Sequence, residues 1–315
     1  MSSGVPVPAA SRQARWMSPQ RLGGRLRTTG GRDRVGVIYA LPALTLTGVF
    51  FVVPLAGTVW TSLQDKPLYG EGRLIGLANY SDAIHDEVFW STVWFTVRFT
   101  IVTLVVGVAL AFLLALLVSQ PRRGVALFRT AYFLPVTMGY ASAGYLWFYM
   151  FDGRVGVVND VIRRLGISDD PVRWLSDVST SFWAIGAVTV WKSVGFGMVI
   201  FVIGIQAIPR ELFEAFRVDG ASRVQTVRLL IIPLVRNHIA LVVIFGVVGG
   251  MLSFDQFFTM TKGGPRGQTM TIVYSIYANA FSYQKLGYGA ALSVILLLIL
   301  GVVSVAQLVL FRRER

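Results

Sequence analysis

The sequence lacks cysteine altogether and contains only two histidines, His85 and His238. Without cysteine the chain can form neither a disulfide nor a thiolate metal site, and it has no cysteine nucleophile. Neither histidine is followed by a metal-ligating residue three or four positions later, the spacing that places two ligands on one helix face. The sequence also shows no paired carboxylates of the kind that an active site needs. We therefore predict that the chain is not an enzyme and holds no metal ion.

Charged residues are also scarce. They make up 14% of the chain, against about 25% in a soluble domain, while 54% of the residues are hydrophobic. The formal net charge is nevertheless +13. A nucleic-acid-binding protein would gather such basic residues into one surface stripe. Here they are divided among segments between long apolar runs, which indicates a membrane protein with no nucleic-acid partner.

Six apolar stretches are long enough to cross about 30 Å of hydrocarbon, which takes about 20 helical residues each. They are residues 35–63, 91–118, 125–150, 180–206, 239–258 and 287–311. Six crossings place both termini on one side. Of the 29 basic residues, 18 fall on that side when Arg129, near the start of the third stretch, is counted with it, and 9 fall on the other. The remaining two, Arg98 and Lys192, lie inside the stretches. Because positively charged loops stay in the cytoplasm, we predict cytoplasmic N- and C-termini.

Residues 1–34 are rich in arginine, serine, glycine and proline and have no apolar periodicity. We predict a disordered, basic cytoplasmic tail that lies near the membrane surface. A secretory signal is the alternative, but its apolar core would span only about 7 to 15 residues, and the first stretch is much longer. We therefore expect an uncleaved first helix and a six-helix membrane domain over residues 35–315.

No lysine in the sequence follows a glycine, as the phosphate-cradling G-x-x-x-x-G-K-[ST] loop requires. The four lysines follow Asp65, Trp191, Thr261 and Gln284. If ATP drives transport through this chain, hydrolysis therefore takes place on another subunit. A secondary carrier is the alternative to an ATP-driven transporter, but a proton-coupled carrier tends to place ionisable residues deep in its spans. Only Arg98, Lys192 and Asp255 are candidates for that role.

The longest predicted cytoplasmic loop, residues 207–236, should form two short helices joined at Asp219 and Gly220. Pro209 suits the first helical position, because no backbone donor is needed there. Glu211 falls in the first turn, where the helix dipole favours a carboxylate. Gly220 can end the helix in a left-handed conformation.

The first of these short helices is amphipathic. Its apolar side is formed by Leu212, Phe213, Ala215 and Phe216, and its charged side by Glu211, Glu214 and Arg217. A helix of this kind can dock into a groove on a partner protein. It can equally lie in the lipid headgroups, and the local pattern leaves both alternatives open.

The same loop resembles a known family. Its run Glu-Ala-Phe-Arg-Val-Asp-Gly-Ala from Glu214 to Ala221, followed by Ile232-Pro233-Leu234, is similar to the EAA loop of bacterial ABC import permeases, with Phe216 where alanine is usual. Residues 127–135, 191–209, 254–255 and 261–265 are similar to the carbohydrate branch, which includes maltose and glycerol-phosphate permeases, with Phe95 where asparagine is usual. The resemblance covers nearly the whole membrane region.

The resemblance implies an all-α type I ABC importer permease with six transmembrane helices and a cytoplasmic coupling helix, in the cell membrane of a prokaryote. The implied partners are a second permease, two ATPase subunits that bind ATP and Mg, an extracytoplasmic substrate-binding protein and membrane lipid. This chain would bind no cofactor itself. The coupling residues would be Glu211, Glu214, Ala215, Phe216, Asp219, Gly220 and Ala221.

A stripe of small residues runs along the fifth stretch at helical spacing: Gly246, Gly249, Gly250 and Ser253. Such a stripe can line a polar path or allow tight helix packing. The sugar contacts of the maltose permease align with this stripe and with Lys192, Ser193 and Phe196, so the resemblance implies a solute pathway there. Phe196 could stack on a sugar face, whereas Lys192 could bind solute or pair within the protein.

The implied function is ATP-coupled uptake of a sugar, an oligosaccharide or a related polyol. Glycerol 3-phosphate or a glycerophosphodiester is the first alternative cargo, because the ammonium of Lys192 suits a phosphate as well as hydroxyl groups. A secondary carrier is the alternative of another class.

Overall fold

The computed structural model of the chain describes the backbone of residues 32–120 and 123–312, with side chains over 39–120 and 123–311. The predicted tail therefore lies outside the described residues, except for residues 32–34. These three begin helix α1, Arg32–Thr47, so regular structure starts slightly earlier than the predicted boundary at residue 35.

The chain divides into two compact units, Met1–Val53 and Pro54–Arg315. In the first unit, α1 contains Pro42 and is followed by a π-helical segment, Gly48–Val52. Its described side chains are exposed, apart from the half-buried Gly48, and most of them are apolar. An exposed apolar helical surface of this kind is what contact with lipid requires.

The described residues of the second unit form helices, connecting loops and one short hairpin, in which β1, Gln64–Asp65, pairs antiparallel with β2, Arg73–Leu74. The all-α prediction did not include this hairpin. The helices after α1 are α2 Val53–Ser62, α3 Ala78–His85, α4 Glu87–Val118, α5 Val125–Thr137, α6 Tyr140–Met150, α7 Val157–Arg164, α8 Val178–Gln206, α9 Arg210–Val218, α10 Arg223–Gln225, α11 Ile232–Leu234, α12 Arg236–Met251, α13 Asp255–Met260, α14 Ile272–Tyr277 and α15 Leu286–Arg312. Two further π-helical segments are Thr226–Ile231 and Ala278–Ser282.

Four continuous helical segments of the described residues are long and apolar enough to cross a membrane: Tyr39–Ser62, Glu87–Val118, Val178–Gln206 and Leu286–Phe311. They confirm the first, second, fourth and sixth predicted stretches to within a few residues. A bent pair, Arg223–Leu234 and Arg236–Met251, meets at 71° and would make a fifth span. The predicted count of six continuous spans is therefore not reached in this part of the chain.

The third predicted stretch, residues 125–150, is broken. Between α5 and α6, Met138 and Gly139 are extended, with ψ angles of 145° and 146°. Pro135 lies in the last turn of α5 and has no N–H to donate to the preceding turn. The helix is therefore weakened immediately before the break.

The fifth predicted stretch, residues 239–258, is also broken, because α12 ends at Met251 and α13 begins at Asp255. Phe254, between them, has φ −138° and ψ −60°. The Ser253 carbonyl accepts a 2.7 Å hydrogen bond from the Thr271 hydroxyl instead of from a helical N–H. A distant side chain thus satisfies the carbonyl that the break leaves free.

Helix α8 is the central element of the second unit and packs against α4 and α5. Toward its beginning it contributes Phe182 and Ile185 to a cluster with Phe99 of α4 and Phe257 of α13. Toward its end it contributes Phe201 and other residues to a second cluster. Because lipid is as apolar as these side chains, close packing rather than exclusion of water holds such helices together.

The C-terminal end of α4 is tied to both of its neighbours. The Val118 carbonyl accepts from Nε of Arg129 in α5 at 3.1 Å, and the Ser119 carbonyl accepts from Nε2 of Gln206 in α8 at 3.0 Å. The last carbonyls of a helix have no partner inside it and carry partial negative charge, which these donors satisfy. Three helices are thereby fixed at the point where the chain leaves α8 for α9.

Candidate functional site

Helix α9 is the predicted short helix of the 207–236 loop. Pro209 is its N-cap residue, with φ −56° and ψ 139°, so the helix begins one residue later than predicted. The extended ψ of Pro209 keeps it outside the helix. Glu211 lies in the first turn and Arg217 in the last, which matches the direction of the helix dipole.

The turn after α9 is closed by backbone bonds. Gly220 has φ +72°, as predicted, and its N–H donates to the Arg217 carbonyl at 3.2 Å. The Ala221 N–H donates to the Phe216 carbonyl at 2.9 Å, which completes a Schellman motif. The next helix starts at once with a capping box between Ser222 and Gln225. The angle between the two helices is thus set locally.

Most of α9 is exposed. Phe213 is half-buried and packs on the cluster at the end of α8, and Phe216 and Ala221 are also half-buried. The remaining predicted coupling residues are exposed: Glu211, Glu214, Ala215, Asp219 and Gly220. Within the described residues their three carboxylates form no ion pair or hydrogen bond. Phe213 therefore holds α9 against the end of α8, while the carboxylates of α9 stay exposed and, among the described residues, unpaired.

Lys192 of α8 is buried, with 7% of its surface exposed. Its ammonium lies 3.5 Å from the Val136 carbonyl and 4.1 Å from the centroid of the Tyr140 ring. It therefore bridges the break between α5 and α6, where the helix dipole and the ring face both attract a cation. Val136 and Tyr140 were not predicted as partners, and the only signal in the sequence was Pro135, four residues before Gly139.

We expect Lys192→Met to lower the free energy of unfolding by about 2 kcal/mol, because it removes a charged hydrogen bond and a cation–π contact while keeping the length of the side chain. The midpoint of thermal unfolding of the purified chain in detergent measures this change. Lys285→Met, at an exposed lysine, is the control. An unchanged midpoint together with a raised KM for uptake would instead assign Lys192 to solute binding.

Ser193 and Phe196 lie on an exposed face of α8, away from Lys192. The Phe196 ring is 40% exposed and meets Phe245 of α12 edge to face, with ring centroids 5.7 Å apart. Phe245 is 55% exposed and was not predicted. Its signal in the sequence is the spacing to Gly249, one helical turn later. Two aromatic rings and a hydroxyl are therefore accessible together.

The predicted stripe of small residues is divided between two faces of α12 and the turn after it. A side chain at Gly246 would collide with Leu104, and a Cβ at Gly250 would lie 2.6 Å from Cγ2 of Thr100, both on α4. Ser253 is buried as well. Gly249, in contrast, is exposed and has no atom within 4 Å of where a Cβ would be. Gly246 and Gly250 thus pack closely against α4. Gly249 lies on the exposed face of α12, together with Phe245.

Comparison with known proteins agrees with this architecture. Residues 107–315 match the family described as the binding-protein-dependent transport system inner membrane component. The sn-glycerol-3-phosphate transport system permease protein UgpA of Agrobacterium fabrum is 33% identical, over 82% of this chain and 88% of its own length. The trehalose/maltose transport system permease protein MalF of Thermococcus litoralis is 30% identical, over 83% of this chain and 88% of its own length.

The fold is also found in a solved structure. A chain of a bacterial ABC transporter involved in the import of the acidic polysaccharide alginate superposes with a TM-score of 0.79, covering 90% of this chain and 96% of that one, at 20% identity. That likeness shows the type I permease fold. With the family match over residues 107–315, it follows that the chain belongs to the binding-protein-dependent inner-membrane components, the membrane-spanning permease subunits of ABC importers.

Proposed function

We propose that the chain forms half of the path by which an importer carries a sugar, an oligosaccharide or a related polyol across the membrane. Relatives with about a third identical residues are named for trehalose and maltose and for glycerol 3-phosphate, which supports this cargo class and keeps glycerol 3-phosphate as the alternative. The rings of Phe196 and Phe245 support it chemically, because the apolar face of a sugar ring packs on an aromatic face.

The observation that carries the coupling role is the exposed, unpaired face of α9. A short helix with free carboxylates and a fixed exit turn is suited to a groove on another protein. The sequence has no lysine after a glycine, so it lacks the phosphate loop that would let it hydrolyse ATP itself. We therefore assign hydrolysis to two partner ATPase subunits, one of which binds the α9 helix of this chain.

The hydrogen bonds near the end of α8 suggest how a movement of α9 would be transmitted to the membrane-spanning helices. Closure of the ATPases would displace α9 as a rigid body. The bonds from Arg129 and Gln206 to the end of α4 join α4, α5 and α8 next to the start of that loop. The three helices would then follow α9 together and switch the path between its two openings.

The open face that contains Ser193, Phe196, Phe245 and Gly249 is where a second permease would close the path. A lone chain leaves these residues facing lipid, where the Ser193 hydroxyl can bond only to its own helix, at the Thr189 carbonyl. An extracytoplasmic binding protein would deliver the solute at the other end. In this arrangement α9 and both termini are cytoplasmic, as the distribution of basic residues predicts.

Flux into proteoliposomes tests this function. We expect the purified chain alone to carry no trehalose, maltose or glycerol 3-phosphate, with or without ATP. The chain co-purified with its second permease and ATPase subunits should accumulate one of these solutes only with ATP and binding protein. Flux through the chain alone would assign it to the secondary carriers and contradict the proposal.

A further inference from the structure

A cavity of about 650 Å³ opens at the end of the helices opposite α9. It is lined by the start of α4, the loop before α14 and the π-helical segment that follows α14. Its lining includes Val88, Ser91, Lys262, Arg266, Tyr274 and Tyr283. The volume falls within the range of about 300–1,000 Å³ that is typical of sites for small molecules.

The cavity is positively charged. Lys262 and Arg266 are both exposed, and within the described residues neither side chain forms an ion pair or a hydrogen bond. No carboxylate is among the residues that line the cavity. Asp86, just before Val88 in the chain, is already engaged by the Tyr288 hydroxyl and by the N–H of Val88. Among the described residues, the two cations thus have no ion-pair partner.

The loop that carries the two cations has an unusual and firmly held backbone. Three described residues other than glycine have positive φ, namely Lys262 at 51°, Arg266 at 53° and Gln284 at 59°. Two of them line the cavity, and the third follows Tyr283, which also does. The buried hydroxyl of Thr269 donates to the Gly264 carbonyl at 2.5 Å and fixes the loop from inside. Such strained backbone is concentrated at functional sites in proteins.

Two tyrosines, Tyr274 and Tyr283, are among the residues that line the cavity. Tyr274 belongs to a group of rings with neighbouring centroids 5.3–6.3 Å apart, formed by Phe254, Phe258, Tyr274, Tyr277 and Phe281. Two tyrosine rings beside two cations and several polar groups offer an apolar face for the carbon skeleton of a solute and charges for an anionic substituent.

We propose that this cavity is an entry site for a small solute that carries an anionic group, such as a phosphate, sulfonate or carboxylate on a polyol or sugar. This inference rests on the proposed function and narrows its cargo class. The concave shape favours a small solute over the acidic surface of a binding protein, which would need a broad, flat face. Basic pockets that bind lipid headgroups lie on the cytoplasmic side of membrane proteins, whereas this cavity lies at the end of the helices opposite α9. Its position therefore favours a solute over a lipid headgroup.

Saturation-transfer NMR on the full chain in phosphatidylcholine nanodiscs tests the inference. The two probes are glycerol 3-phosphate and glycerol, which differ only in the phosphate group. We expect saturable binding of glycerol 3-phosphate and none of glycerol. The double variant Lys262→Gln/Arg266→Gln should bind at least tenfold more weakly, and Lys285→Gln, the exposed lysine outside the cavity lining, should bind like the unmodified chain. Glutamine suits the backbone, since Gln284 already has a similar positive φ, 59° against 51° and 53°.

Several results would overturn the proposal: equal binding of both probes, no binding of either, or equal affinity in the double variant. Loss of glycerol 3-phosphate binding when phosphatidylglycerol replaces part of the phosphatidylcholine would assign the cavity to a lipid headgroup. Loss of only the ATPase stimulation by binding protein in the double variant would assign it to protein docking. The binding test uses no ATPase, so it can fail while ATP-dependent uptake stands.

Discussion

A valine in place of Gly220 is expected to reduce ATP-dependent uptake at least about tenfold while the chain still folds in the membrane. Gly220 has φ +72°, where a side chain costs about 1–2 kcal/mol, and a β-branched one more. Nothing lies within 4 Å of the position of its Cβ, so the cost is in the backbone and not a collision. The turn then relaxes into another conformation, which changes the direction of α9, and α9 no longer fits the groove of the ATPase.

Gly166→Val is the matched control for this prediction. Gly166 has φ +68°, has no atom within 4 Å of where a Cβ would be, and follows α7 outside the α9 loop. Its substitution imposes the same kind of strain on a turn that has no proposed coupling role. Uptake and ATPase activity of both variants are measured in proteoliposomes with the partner subunits. If the two variants lose uptake equally, the special role of the α9 turn is refuted.

Gly250→Val is expected to lower the free energy of unfolding by about 3 kcal/mol, at the upper end of the usual cost of overpacking. The new Cβ would lie 2.6 Å from Cγ2 of Thr100 in the contact between α12 and α4. Helix α4 is held in place there, because Thr96, one turn earlier, accepts a hydrogen bond from the Ile272 N–H at the start of α14. The yield of monodisperse protein and the thermal midpoint in detergent measure the loss.

Gly249→Val is the control one residue away. Since that position is open, the variant should fold as well as the unmodified chain. If Gly249 also borders the solute path, as the resemblance implied, uptake by the assembled importer should fall although folding does not. Equal instability of the two variants would show that the two faces of α12 are wrongly assigned.

The spans show where sequence reasoning succeeds. Hydropathy located Glu87–Val118 and Val178–Gln206 because a continuous apolar helix is a local property of about 20 residues. It did not locate the breaks in the third and fifth stretches. Those breaks depend on Lys192 and Thr271, which satisfy carbonyls 56 and 18 residues away in the chain. Partners so distant cannot be identified from a window of apolar residues.

In the candidate site, too, local features could be predicted and features that depend on distant residues could not. The α9 helix and the left-handed Gly220 were predicted, because capping and turn chemistry act over a few residues. The separation of the small-residue stripe into packed and open positions was not, since it depends on where α4 lies. Phe245 was missed for the same reason. Only the packing of α8 against α12 brings it to Phe196.

The central claim is that α9 is gripped by a separate ATPase, and labelling of α9 tests it most directly. The sequence has no cysteine, so Ala215→Cys introduces the only thiol. This thiol should react rapidly with a maleimide in the chain alone and at least tenfold more slowly in the assembled importer. Val155→Cys, at a position that is 79% exposed outside the α9 loop, reports general accessibility. Equal reactivity of the Ala215→Cys thiol with and without the ATPase subunits would contradict the account.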